Sequence, residues 1–76
     1  MTDQETEGVL ALAGLYIGDV SAKRFVNEMV WTIKVHPWVR ISYRQSRFIW
    51  ILVDRYRRHL PGSLVVTAEM ELANSR

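Results

Sequence analysis

Seventy-six residues, ten basic and eight acidic for a net charge of +2, with no cysteine, describe one small domain, 1–76, that no disulfide staples and whose core is modest. Two histidines without cysteine partners argue against structural zinc, and no cofactor is implied. The longest uncharged apolar stretch, Val9 to Ile17, is well short of the roughly 20 residues that cross a bilayer, so no membrane is expected among its partners. Asp3, Glu5 and Glu7, where a secretory signal would be basic, point to the cytoplasm.

Thr2-Asp3-Gln4-Glu5 has the spacing of a capping box, in which a hydroxyl and a carboxylate satisfy the free amides of a helix start. Val9, Leu12, Ala13, Tyr16 and Ile17 then recur at helical spacing, with Gly18 as the expected stop. Gly8 and Gly14 each cost such a helix about 1 kcal/mol relative to alanine. Asp19 or Ser21 can cap a second helix with an apolar stripe of Phe25, Val26, Met29, Val30 and Ile33. Pro37 ends it by His36. Residues 37–41, PWVRI, are too apolar for an idle loop, and Trp38 and Ile41 are expected to plug a gap between helices.

Ser42-Tyr43-Arg44-Gln45 repeats the capping-box pattern and opens the strongest helical signal, from Tyr43 to about Leu60, closed by Pro61-Gly62. The last segment, 63–76, fits both periodicities: Leu64, Val65, Ala68 and Leu72 for a helix; Val66, Ala68, Met70 and Leu72 for a strand. Helix is the reading taken, because a lone strand would have no obvious partner in the chain. The expected fold is therefore all-α, a small three- or four-helix domain.

Charge is unevenly placed. Residues 1–22 hold four acids and no base, whereas residues 23–59 hold nine bases against Glu28 and Asp54, an asymmetry that bears on partners rather than on fold. At roughly 100° per residue, Gln45, Ile49, Leu52, Val53, Tyr56 and Leu60 share one side of the third helix, and Arg44, Arg47, Ile51, Arg55 and Arg58 the other. Trp50 falls outward at the edge of that stripe, within stacking reach of Arg47 and Arg57. A solvated face with Asp54 paired to Arg47 or Arg58 accounts for part of this. It leaves Trp50 and Ile51 unexplained, and arginine and tryptophan are the residue types in which interfaces concentrate binding energy. Arg44, Arg47, Trp50, Ile51, Arg55 and Arg58 are thus the candidate partner-binding residues.

Guanidinium groups suit carboxylates and phosphates equally, so the stripe fits an acidic protein or a nucleoprotein surface, with nucleic acid as the alternative partner. Residues 37–41 loosely permit a helix-turn-helix, although VHPWVRI lacks the glycine-bearing turn common in that motif. A homo-oligomer joining the acidic first helix to the basic third is also expected. Catalysis is not: His36 and His59 have no nucleophile or acid at triad spacing, and no glycine-rich phosphate loop is present.

The third helix resembles a pattern in small phage and prophage proteins, where a Ser/Thr cap, a basic residue and glutamine open a helix that closes on Arg-Tyr-Arg and a proline. Here those are Ser42, Arg44, Gln45, then Arg55-Tyr56-Arg57 and Pro61, about twenty of 76 residues. The resemblance implies a phage-like context, in which short proteins act by attaching to a host machine. An anti-defence role, such as inhibition of a CRISPR effector by occupying its partner or nucleic-acid site, would suit the size and the stripe.

Overall fold

Three of the four helices begin at a side chain that closes on the backbone ahead of it. In the computed structural model, which describes residues 1–74, α1 spans Asp3–Ala13, α2 Val20–Val35, α3 Tyr43–Arg55 and α4 Gly62–Asn74, with a 3₁₀ turn over Arg57–His59 and no strand among the described residues. The amide of Glu5 donates to Thr2 Oγ1 at 3.1 Å and that of Thr2 to Glu5 Oε1 at 2.8 Å. Gln45 and Ser42 repeat the exchange at 3.1 and 2.9 Å. For α2 the cap is Asp19, whose Oδ1 accepts from Ser21 and Ala22 at 2.9 and 3.2 Å. Each contact satisfies donors that a helix start otherwise leaves unpaired.

The helix ends depart further from the sequence pattern. α1 stops at Ala13 with Gly14 as its cap, not at Gly18: the amides of Gly14 and Leu15 donate three residues back, to Ala11 and Leu12 at 3.2 and 3.1 Å, tightening the last turn. Beyond it Ile17 enters the core while Tyr16 stands 90% exposed, so Ile17 is buried without the helix that was expected to carry it. α3 ends at Arg55, and the chain folds through the 3₁₀ turn, His59 donating to the Tyr56 carbonyl at 3.0 Å. That turn lays α4 back along α3, and Arg57 spans the pair, reaching Asp54 at 3.2 Å and Glu69 at 3.1 Å. Asp54 is therefore held by Arg57, a partner the sequence reading did not select. The C-terminal segment is helical through Asn74; the strand reading fails there, and Ser75 and Arg76 lie outside the described residues.

Val9, Leu12, Ile17, Ala22, Val26, Met29, Ile49, Trp50, Leu52, Val53, Leu64 and Ala68 form the core. Within it α3 is the central element, packing most extensively on α4 and also on α1, while α2 packs chiefly on α1. Phe25 of α2 meets Phe48 of α3 edge to face at 4.7 Å between ring centroids, an arrangement aromatic pairs favour. α1 approaches α3 closely at Gly8: a Cβ there would lie 3.2 Å from Ile49 Cγ2 and 3.5 Å from Trp50 Cζ3. The glycine that costs α1 helical propensity thus makes room chiefly for Ile49, with the indole of Trp50 in contact beside it. The Cα radius of gyration, 11.4 Å, equals the value of about 11 Å expected for a compact chain of this length.

Candidate interaction surface

The basic stripe of α3 exists, in shortened form and without its tryptophan. Arg44, Arg47 and Arg55 are exposed, and Ile51 is half-buried among them, as their positions on a helix capped at Ser42 require. Trp50 is 2% exposed, which removes it from any contact surface and corrects the expectation that it faces outward. The helical wheel assumes one buried side, whereas α3 is covered by both α1 and α4, so its buried arc widens to take in Trp50 beside the expected Ile49, Leu52 and Val53. The indole, packed against α1 at Gly8, presents no outer face for Arg47 or Arg57 to cover.

Arg58 is also displaced. It is exposed, but it lies in the 3₁₀ turn beyond the end of α3, where the 100° progression no longer applies. Arg55 sits 4.0 Å from Asp19, with both side chains about half exposed, and an exposed pair at that separation contributes at most about 1 kcal/mol. It leaves the guanidinium available to exchange partners. The structure therefore groups Arg44, Arg47, Ile51 and Arg55 along α3, sets Arg58 apart and places Trp50 in the core.

A second surface went unseen in the sequence. Trp31, near the end of α2, is 58% exposed and Trp38, in the connection to α3, is 75% exposed. The expected plug is thus half right: Ile41 packs against the core, while Trp38 projects from it. The Met1 amino group donates to the carbonyls of Pro37 and Val39, tying the connection to the start of α1 with the indole left outside. The imidazole of His36 meets both indoles nearly edge-on, at 5.5 Å and 73° to Trp31 and 5.6 Å and 85° to Trp38. Trp31 shares a shallow recess with Lys23 and Arg24, and Trp38 another with Arg40. The available signal was that Trp31 lies off the α2 apolar stripe, a tryptophan placed where no core position called for one.

Among the described residues no three His, Cys, Asp or Glu side chains group so as to hold a metal ion, and no helix is long and apolar enough to cross a membrane. No protein-family model matches the chain, and neither a curated protein nor a solved structure matches it.

Proposed function

We propose that this chain is a small non-enzymatic interaction protein that acts by occupying an anionic surface of a larger macromolecule, an acidic protein or a nucleoprotein, through the outer edge of α3. The observation that carries this reading is the row Arg44, Arg47 and Arg55 exposed around half-buried Ile51 on the helix that is also the central element of the core. A helix holds the backbone positions of these arginines in a fixed relation, so docking orders side chains, at about 0.5–1.5 kcal/mol each, but no backbone. Occlusion of a site on a host effector, anti-CRISPR inhibition included, is the form of this activity that the phage-protein resemblance of α3 favours.

A duplex-reading DNA or RNA module using the same arginines has weaker support. α2 packs chiefly on α1 rather than on α3, so α2 and α3 do not form the packed pair of a helix-turn-helix. The most extensively packed pair is α3 with α4, and α4 carries Glu69 and Glu71 and no base, the wrong charge for a helix entering a groove.

The test is affinity capture from a host lysate followed by mass spectrometry, run with the parent chain and with Arg47→Glu/Arg55→Glu. The double reversal is expected to keep its helical circular dichroism and to lose the specific partner. Equal capture by both proteins refutes the reading. A salt titration with a nonspecific duplex separates the alternative: phosphate contacts weaken log-linearly and steeply as salt rises, and no binding at low salt eliminates it.

A further inference from the structure

The geometry points to a binding site for single-stranded nucleic acid along the row Trp31–His36–Trp38, separate from the α3 arginines and carried by independent observations. The first is ring exposure. Tryptophan in a chain this small is most useful in the core, as Trp50 is; here two of three indoles stand more than half exposed and are linked through one imidazole at 5.5 and 5.6 Å. Neither indole stacks face to face on that imidazole, since the interplanar angles are 73° and 85°. With the two residues 58% and 75% exposed, indole surface is left for other planar groups.

The second observation is charge. The recess beside Trp31 is lined by Lys23, Arg24 and Glu28, and that beside Trp38 by Arg40 and Glu5. Glu5, which accepts from the Thr2 amide and the Ser46 hydroxyl, and Glu28 are the acids in these two linings, against the bases Lys23, Arg24 and Arg40. Lys34, on the last turn of α2 between the two indoles in sequence, adds a further exposed base. Planar groups with positive charge at both ends are the requirements of a single strand: successive bases stack on aromatic faces while the phosphates follow Lys and Arg. A duplex does not satisfy them, because its bases already stack on one another and offer only edges in the grooves. The two indoles are also held close, each in contact with the same imidazole, so a short run of nucleotides reaches both.

The test uses the whole chain and a fluorescein-labelled oligo(dT) strand, with a mixed-sequence duplex and vesicles of phosphatidylserine and phosphatidylcholine as parallel probes. At low salt the strand is expected to bind, to quench part of the intrinsic tryptophan emission, and to bind more tightly than the duplex. Trp31→Ala and Trp38→Ala should each weaken strand affinity about 5- to 150-fold, the range for losing one base–aromatic stack, while Trp31→Phe and Trp38→Phe retain part of it. Circular dichroism establishes that each variant is folded. Arg47→Glu/Arg55→Glu should leave the tryptophan quenching in place, so that failure of the α3 reading and failure of this one are told apart. No strand binding at low salt, duplex binding as tight as strand binding, or strand affinity unchanged in folded Trp31→Ala/Trp38→Ala overturns the proposal, and vesicle binding without strand binding reassigns the row to an anionic lipid surface.

Discussion

Replacing Trp50 with alanine separates a structural indole from a contact residue. At 2% exposure the side chain withdraws nearly its whole surface from water, roughly 150–250 Å² for an aromatic of this kind. At about 25 cal/mol per Å² that burial contributes about 4–6 kcal/mol, in line with the losses of about 3–5 kcal/mol on truncating core aromatics. A domain of 76 residues has in total about 4–11 kcal/mol of stability, so Trp50→Ala removes about a quarter of it or more. Urea denaturation followed at 222 nm is the assay. With a slope near 1 kcal/mol per molar urea for so short a chain, the midpoint falls by about 3 M or the protein is unfolded without denaturant. Trp50→Phe, which keeps a ring against Gly8, falls less. Trp38→Ala, at a 75% exposed position, shifts stability by no more than about 0.5 kcal/mol. A Trp50→Ala midpoint within about 0.5 M of the parent would refute the packing of α1 on α3 described above.

The two glycines at opposite ends of the packing scale should respond oppositely. Gly8→Leu places a branched chain where even a Cβ would be 3.2 Å from Ile49, and is expected to cost at least about 1–3 kcal/mol by overpacking. Gly62→Ala meets nothing within 4 Å at a backbone of ordinary φ and is expected to stabilise by about 0.4–1 kcal/mol through the unfolded chain; thermal melts check both. Ser42→Ala removes the hydroxyl that accepts from Gln45 and should cost about 1 kcal/mol, read from the same melts. Self-association is expected from the exposed apolar residues, Val66 and Met70 on α4 among them, and a monomeric mass by light scattering at high concentration refutes it.

The helix starts were legible because capping is local. Thr2, Asp19 and Ser42 each act on amides within three residues of themselves, a range over which spacing carries the physics. Helix ends were less so, since α3 stops at Arg55 in order to return α4 onto it, and that demand comes from α4, not from residues 56–60. The same reason hid Trp50. Its burial depends on α1 arriving at Gly8, a contact about forty residues distant in the chain, and periodicity within one helix holds no record of how many neighbours that helix will have. The arginines were legible as exposed because charge is rarely buried. Trp31 and Trp38 were not, because an aromatic in a sequence reads first as core, and here only two neighbouring surfaces and one imidazole distinguish them.

The central place of α3 divides the molecule by how readily its parts open. Amides of a helix covered on two sides exchange with solvent only when the whole domain unfolds, whereas those in the last turn of α2, which leans mainly on α1, exchange through local fraying at far lower free energy. A ligand gripping the two indoles would slow deuterium uptake at that edge by suppressing the local fraying, and would slow the amides of α3 only by as much as it stabilises the whole folded chain, so the border between the fast and slow amides traces where the molecule can yield to a partner without ceasing to be folded.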